Sequence, residues 1–215
     1  VAGAGAFFVT RLRRGGMRVP YTRKIFHFMV FTTAAAVHLT WALPGTLVYG
    51  SILALVVLGA VAAGEGNGLY DALARDTDRP HRTLFIVVPL ITTAVGGLAS
   101  ALLAGPFASV GYLAAGWGDA VGEPVGTRWG RHPYRVPSLA GVPATRTLEG
   151  SAAVFAVATA GSILALWQLG IAPGFWWVGV VCGLASAGVE AVSHHGLDNL
   201  TVQVAASLVA HWILA

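Results

Sequence analysis

The residues best suited to chemistry are four carboxylates that stand near the ends of otherwise apolar segments: Asp119, Glu123, Glu190 and Asp198. A carboxylate within an apolar membrane segment is costly unless a cation, a metal ion or water compensates its charge, so we interpret these four as functional candidates. Arginines close by in the sequence supply planar cations that bind phosphate oxygens through paired hydrogen bonds. Carboxylates and arginines together indicate a site for a metal-bound polyanion.

Phosphoryl transfer is a reaction that uses such a set of residues. Cationic side chains hold the phosphate oxygens, carboxylates hold Mg²⁺, and an aspartate often takes the proton of the attacking hydroxyl. Asp119 and Glu123 are one helical turn apart, so both could face one ion. Pro124 follows at once, and we expect it to break or kink the helix beside them, which membrane proteins tolerate where the backbone lines a polar cavity.

The elements that must position these residues are membrane helices. Hydrophobic residues make up 56% of the 215 residues and charged residues 10%, with a mean hydropathy of +0.72, whereas a soluble domain has roughly 25% charged residues. We therefore predict an all-α, polytopic integral membrane bundle that forms a single domain over residues 1–215. Cys182 lies in an apolar stretch and, as the one cysteine, can form no intrachain disulfide.

A membrane-spanning helix needs about 20 mostly apolar residues, or about 17 at the short limit. The segments that satisfy this requirement are 26–43, 46–63, 83–104, 151–170 and 175–192. Segments 107–125 and 197–215 also qualify, although each carries carboxylates. Segment 1–10 is apolar but short, so we predict seven spanning helices, or eight if this segment is the end of a further helix.

The connections between these segments alternate in character. Those near residues 43–46, 104–106 and 170–174 are short and uncharged, and all 13 Lys and Arg residues lie in the connections between them. The positive-inside rule makes the charged side cytoplasmic, which places the active site there. Asp71, Asp76 and Asp78 alternate with arginines in one of these loops, and we interpret them as a solvated rim.

Four blocks of this sequence resemble, in their order, those of the CTP-dependent polyprenol kinase family, which includes phytol, farnesol and dolichol kinases and the fungal type of diacylglycerol kinase. The blocks are TRKIFH from Thr22, GDAVGEPVGTRWG from Gly118, RTLEGS from Arg146 and EAVSHHGLDNLTV from Glu190. The resemblance implies an all-helical membrane enzyme that transfers the γ-phosphate of CTP to the hydroxyl of an isoprenoid alcohol or a similar lipid, with Mg²⁺ as the metal ion.

The resemblance also implies roles for individual residues. The catalytic candidates are Asp119, Lys24 and Arg23, with Asp119 either a Mg²⁺ ligand or the general base. The residues implied for CTP binding are Arg23, Lys24, His27, Gly122, Gly126, Arg146, Thr147 and Asn199. The residues implied for Mg²⁺ binding are Asp119, Glu123, Glu149, Glu190 and Asp198.

Several of these residues have an equally good structural interpretation. Gly122 and Gly126 could form a packing ridge of small residues between membrane helices. Glu149 could be a carboxylate that the dipole favours at a helix start. Arg146 stands where the family usually has Lys, which keeps the charge but changes its shape from a point to a fork.

The expected partners are CTP, a membrane lipid alcohol and the lipid bilayer, with the oligomeric state left open. We expect no nucleic-acid partner despite the pI of 9.7, because membrane orientation and phosphate binding account for the basic residues. The first alternative function is a cytidylyltransferase that attaches CMP to a lipid phosphate, which resembles CDP-diacylglycerol synthases. The second is a non-enzymatic transporter, which the gathering of acids at one membrane face disfavours.

The lipid substrate is expected to reach the site from within the bilayer. Gly96, Gly97 and Gly105, together with Pro89 and Pro106, make the segments around them candidates for a flexible or loosely packed lateral opening. Glycine and proline are frequent in membrane helices for other reasons as well.

Overall fold

The computed structural model describes residues 2–137, 144–194 and 196–215. The helices of this described part are α1 (Ala2–Arg14), α2 (Val19–Ala63), α3 (Gly68–Leu73), α4 (Leu84–Ala104), α5 (Ala108–Trp129), α6 (Leu148–Gln168), α7 (Trp177–Val192) and α8 (Asp198–Leu214). Strands β1 (Pro133–Val136) and β2 (Ala144–Thr147) form an antiparallel pair with Pro133 opposite Thr147. The all-α prediction is confirmed, and this small two-stranded sheet was not predicted.

Helix α2 is 45 residues long and is folded into two arms at Ala42, whose φ of 49° lies in the left-handed region. Pro44 supports the turn because it has no N–H to continue the helical ladder. The arms contact each other where the Tyr49 hydroxyl donates to the carbonyl oxygen of Val30 at 3.3 Å. The predicted segments 26–43 and 46–63 therefore correspond to the first and second arms of one folded helix.

Four helical stretches are long and apolar enough to cross a membrane: Val19–Ala63, Leu84–Trp129, Leu148–Gln168 and Pro173–Val192. The first two are 45 and 46 residues long, more than twice the length of about 20 residues that one crossing requires. Each of them turns back on itself, the first at Ala42 and the second at the 3-10 turn Gly105–Phe107. Large apolar side chains cover the outer surface, as at Leu55, which is 72% exposed. The chain is therefore a membrane protein.

Helix α5 packs against α2, α6 and α8 and forms the centre of the bundle. Small residues allow this close approach: a Cβ added at Gly116 would overlap Phe31 of α2, and one added at Gly111 would overlap Ser207 of α8. A Cβ at Gly122 would overlap Val154 of α6. Glycines on three sides of α5 thus hold three neighbouring helices against it, as small residues commonly do in membrane bundles.

The glycines of α4 also serve packing. A Cβ at Gly96 would lie 2.7 Å from the Cα of Leu200 on α8, and the carbonyl oxygen of Gly97 accepts a hydrogen bond of 2.8 Å from the Tyr112 hydroxyl. Both glycines are buried. The expectation of a loosely packed opening at these two positions is therefore wrong, because the space that a side chain would use is filled by α8 and α5.

The bundle has two ends of opposite character. At the uncharged end, the His38 Nε2 atom lies 2.9 Å from the carbonyl oxygen of Gly105, so the turn of α2 meets the turn between α4 and α5. The rings of Phe107 and His211 lie 6.1 Å apart and bring the last turn of α8 to the same end. The other end, which we call the charged end, contains all the Lys and Arg residues together with the candidate site.

Candidate active site

A polar cleft of about 310 Å³ opens at the charged end of the bundle. Its walls come from the last turns of α5, the first turns of α6, strand β2, the loop after α3 and the facing ends of α7 and α8. Its charged lining residues are Arg75, Asp78, Asp119, Glu123, Arg146, Glu190 and Asp198. Elements far apart in the sequence thus place seven ionisable side chains around one cavity.

Lys24 joins the first arm of α2 to α5. Its Nζ atom donates to Oδ1 of Asp119 at 2.7 Å and lies 2.8 Å from Oε2 of Glu123. The predicted break beside Asp119 is absent, because α5 runs as one helix through Pro124. The two carboxylates therefore face the same cation from one helical turn, as their spacing predicted. Lys24 stands behind them and does not itself line the cleft.

A second ion-pair group connects the loop after α3 to α5. Arg75 donates from Nη1 to Glu123 at 3.0 Å and from Nε to Asp78 at 2.9 Å, and Arg23 lies 3.8 Å from the same oxygen of Asp78. The Asp78 side chain is only 4% exposed. Its interpretation as part of a solvated rim is therefore wrong, whereas Asp76 is 75% exposed, as that interpretation predicted.

Arg75 and Asp78 are thus cleft residues that the sequence did not reveal. Burial alone would lower the pKa of the Arg75 guanidinium, but the carboxylates of Glu123 and Asp78 outweigh it and raise this pKa above its ordinary value. Arg75 therefore stays charged. In the sequence both residues look like their exposed neighbours in the same charged loop, and no signal there separates them.

Arg146 on β2 is the centre of a third group. Its Nε lies 2.8 Å from Glu190 at the end of α7, and its Nη2 donates to Asp198 at the start of α8, also at 2.8 Å. A third donor, Nη1, reaches the carbonyl oxygen of Ser193 at 3.3 Å. The planar fork of an arginine makes all three contacts at once, which the compact ammonium of a lysine does less well.

Gly122, Gly126 and Thr147 all line the cleft. They also form the contact between α5 and α6: a Cβ at Gly126 would lie 2.8 Å from Oγ1 of Thr147. The same Oγ1 caps α6 by accepting a hydrogen bond of 3.0 Å from the backbone N–H of Gly150. The packing interpretation of the two glycines thus agrees with the structure, and their backbone still borders the cavity.

Five of the predicted site residues do not line the cleft: Arg23, Lys24, His27, Glu149 and Asn199. Glu149 is engaged by the segment before β1: its Oε1 lies 2.6 Å from Nδ1 of His132, and its Oε2 accepts from the backbone N–H of Arg131 at 3.0 Å. Asn199 donates to Oγ1 of Thr93 at 3.0 Å and borders a separate, mostly apolar cavity. Neither the Glu149 nor the Asn199 side chain lines the space between Asp119 and Arg146.

Each carboxylate predicted as a metal ligand contacts a cationic or polar side chain. Asp119 and Glu123 contact Lys24, Glu190 and Asp198 contact Arg146, and Glu149 contacts His132. Within residues 2–137, 144–194 and 196–215, no group of three or more His, Cys, Asp or Glu side chains is arranged to hold a metal ion. The structure thus shows ion pairs at these positions.

His27 stands at the border between the cleft and the apolar cavity. Its Nε2 lies 3.3 Å from Oδ2 of Asp119, and its ring centroid lies 4.5 Å from that of Phe31. Arg23 and His27 both line the apolar cavity. The basic block at the start of α2 therefore contributes Lys24 to the carboxylates of the cleft and its other two side chains to the neighbouring cavity.

No family profile matches the chain, and no solved structure matches it. The chain is similar to the phytol kinase of Synechocystis sp., with 30% identity over 195 residues that cover 88% of this chain and 77% of that protein. The aligned residues cover most of both chains. The chain therefore belongs to the polyprenol kinase family, which includes phytol kinase.

Proposed function

We propose that this protein is a lipid-alcohol kinase that transfers the γ-phosphate of CTP to the hydroxyl of an isoprenoid alcohol. The observation that carries this proposal is the polar cleft, in which Arg75 and Arg146 face the same space as Asp119 at the charged end of a membrane bundle. Family membership supports the kinase activity and the lipid acceptor. The choice of CTP is supported by the four sequence blocks that resemble the CTP-dependent family.

The proposed topology has seven membrane crossings, formed by the two arms of α2 and by α4 to α8. Helix α1 has 13 described residues, about 20 Å of helix, and would add an eighth crossing if it is the end of a longer helix. The charged end would face the cytoplasm, because all the Lys and Arg residues lie there. The nucleotide would then enter from the cytoplasm and the alcohol from the bilayer.

The charge balance of the cleft supports Mg²⁺ as the metal ion. Five carboxylates (Asp78, Asp119, Glu123, Glu190 and Asp198) meet four cations (Arg23, Lys24, Arg75 and Arg146). The carboxylates thus outnumber the cations, and a divalent cation bound with the nucleotide would screen its phosphates from them. Mg²⁺ needs only one or two protein carboxylates when phosphates complete its shell, and Oε2 of Glu190 is buried without a hydrogen-bond partner.

Glu123, Glu190 and Asp198 are the residues that would hold the metal ion, and Asp119 would either join them or act as the general base. When bound, Mg²⁺ supplies positive charge that compensates the phosphate oxygens and the departing diphosphate. Arg75 and Arg146 would hold the phosphates, since each guanidinium has five N–H donors. The guanidinium donors now bind carboxylates. When phosphate oxygens accept hydrogen bonds from these donors instead, the carboxylates become available to other cations.

Lys24 keeps Asp119 in place and ionised. With Oδ1 occupied by Lys24, Oδ2 of Asp119 is the oxygen that faces His27 and that can accept a proton. Most of the catalytic effect in such a site comes from positioning and from fixed charges near the transferring phosphoryl group. The buried ion pairs of this cleft provide that fixed arrangement.

The test is an activity screen on the purified protein with CTP, ATP, GTP and UTP against phytol, farnesol, geranylgeraniol and diacylglycerol. CTP labelled in its α- or γ-phosphate separates the functions: the kinase transfers only the γ label to the lipid and releases CDP, whereas a cytidylyltransferase with a lipid-phosphate acceptor transfers only the α label and releases pyrophosphate. Asp119→Asn should lower kcat by about 100-fold or more if Asp119 takes the proton. Full activity of this variant would refute that role.

A further inference from the structure

This inference rests on the proposed function and concerns the binding site of the acceptor. A cavity of about 80 Å³ lies between the two arms of α2, α4 and the start of α8. Its apolar walls include Phe26, Val30, Leu53, Val57, Phe85 and Leu90, and its polar lining residues are Arg23, His27, Thr93 and Asn199. An apolar cavity with a few polar groups at its border is typical of a site for an amphipathic small molecule.

The cavity borders the polar cleft where His27 meets Asp119, and also where Arg23 lies 3.8 Å from Asp78. His27 lines the cavity, and Asp119, whose Oδ2 lies 3.3 Å from Nε2 of His27, lines the cleft. This contact is not aligned as a hydrogen bond, and Nε2 belongs to the buried polar atoms that have no hydrogen-bond partner among the described residues. A buried nitrogen without a partner costs stability and is expected to find one in a working complex.

We propose that the apolar cavity receives the hydroxyl-bearing end of the isoprenoid alcohol and that the hydroxyl bridges Nε2 of His27 and Oδ2 of Asp119. The alcohol oxygen then forms a bond to the γ-phosphorus while the bond from that phosphorus to the bridging oxygen breaks. The proton of the hydroxyl passes to Asp119, and the nucleoside diphosphate leaves. His27 is a positioning residue in this arrangement, because it orients the hydroxyl that Asp119 deprotonates.

The size of the cavity sets which part of the alcohol is recognised. A cavity of about 150 Å³ holds a benzene ring, so 80 Å³ admits only the first few carbon atoms after the hydroxyl. The rest of the chain would leave toward the bilayer between the second arm of α2 and α4, where Leu58 and Ile91 are exposed apolar residues. Chain length should therefore matter little, whereas branching next to the hydroxyl should matter strongly.

Geraniol, farnesol and geranylgeraniol carry the same branched unit next to the hydroxyl and should be used with kcat values within about threefold of one another, because differences in uniform binding appear in KM. Diacylglycerol carries two ester chains beside its hydroxyl and should not be phosphorylated. Efficient use of diacylglycerol would contradict the proposal.

The decisive variant is Val57→Phe, which fills the cavity from the second arm of α2. We expect its KM for the alcohol to rise about 10-fold or more while its KM for the nucleotide stays within about twofold of the unmodified protein. Leu55→Phe is the matched control, because Leu55 lies on the same arm and is exposed. An unchanged alcohol KM in Val57→Phe would overturn the inference.

A second measurement does not depend on the activity or folding of the variant. Geranylgeraniol with a diazirine close to its hydroxyl should, on irradiation, label the segments 26–31, 53–57 and 85–93 of the unmodified protein, and unlabelled alcohol should compete. Labelling elsewhere in the chain refutes the proposed site. If the cavity is labelled but no alcohol is phosphorylated, the proposed function fails and the acceptor cavity remains as a lipid-binding site. If alcohols are phosphorylated but the labelled segments lie elsewhere, the proposed function stands and the proposed acceptor cavity is wrong.

His27→Phe tests the positioning role. It should lower kcat for every alcohol while leaving the KM for the nucleotide unchanged, since the phenyl ring retains the contact with Phe31 but has no nitrogen. His27→Gln, which can still donate to or accept from a hydroxyl, should recover part of the lost rate. Equal activity of His27→Phe and the unmodified protein would contradict the role.

Discussion

Lys24 and Asp119 are 95 residues apart in the sequence, yet Nζ of Lys24 donates to Oδ1 of Asp119 at 2.7 Å. The same Nζ lies 2.8 Å from Glu123, and the Lys24 side chain is only 7% exposed. One buried ammonium thus compensates two carboxylates on a single turn of α5. This relationship fixes the first arm of α2 to the helix at the centre of the bundle.

Replacing Lys24 by Met should destabilise the protein by about 3–5 kcal/mol, because removing one partner of a buried ion pair leaves the other charges uncompensated. Thermal unfolding in detergent measures the loss, and activity should fall with it. Lys24→Arg should retain more stability. Arg128→Met is the control, since Arg128 is exposed and contacts only the ring of Trp129 among the interactions described for it. Equal stability of the Lys24 and Arg128 variants would contradict the buried pair.

Arg75 and Asp78 should matter to catalysis although the sequence presents them as loop residues. Arg75→Gln should raise the KM for the nucleotide by about 10-fold or more, because a charge-assisted hydrogen bond contributes about 1.5–3 kcal/mol. Asp78→Asn should have a smaller effect of the same sign, since Arg75 then loses one of its two anchors. Asp76→Asn is the matched control in the same loop. The assignment fails if the Asp76 and Arg75 variants have the same nucleotide KM.

Glu149 and Asp198 should differ in their effect on metal dependence. Asp198 lines the cleft, whereas Glu149 is engaged by His132 and the backbone before β1. Asp198→Asn should therefore raise the Mg²⁺ concentration for half-maximal activity by about 10-fold, as loss of a metal-associated residue commonly does. Glu149→Gln should leave this concentration unchanged. A shift of equal size in both variants would restore Glu149 to the metal site.

Gly122 should tolerate no larger side chain. Gly122→Ala places a methyl group against Val154 of α6, and such overpacking costs about 1–3 kcal/mol. Gly59→Ala is the control, because no atom lies within 4 Å of the added Cβ there. The double variant Gly122→Ala with Val154→Ala should recover part of the lost stability. Equal thermal stability of the Gly122 and Gly59 variants would show that α5 and α6 are not in close contact here.

Apolar length and charge distribution predicted much of this structure. The two arms of α2, the helices α4 to α8 and the concentration of ionisable groups at one end follow from where apolar runs begin and end. Asp119 and Glu123 lie on the same side of α5 because they are four residues apart and α5 does not break at Pro124. These features depend on short stretches of sequence, so patterns within those stretches predict them.

Features that depend on distant contacts were not predictable in the same way. Asp78 and Asp76 lie two residues apart in one charged loop, and only the docking of that loop beside Arg23 and Glu123 buries one of them. Strands β1 and β2 have four residues each and are too short to show a clear alternation. The placement of Asn199 beside the apolar cavity likewise depends on where α8 meets α4.

The short turns at the uncharged end have a practical consequence for proteolysis. Ala42, Gly105–Phe107 and the connection 169–176 contain no Lys or Arg, whereas all 13 such residues lie at the opposite end. Trypsin cleaves after these residues, so it can cut the polypeptide from one face of a sealed vesicle only. Membranes in which the charged end points outward should yield fragments, and in membranes of the opposite orientation residues 1–215 should stay uncut. The trypsin fragments therefore show the orientation of the protein in the membrane without an added tag.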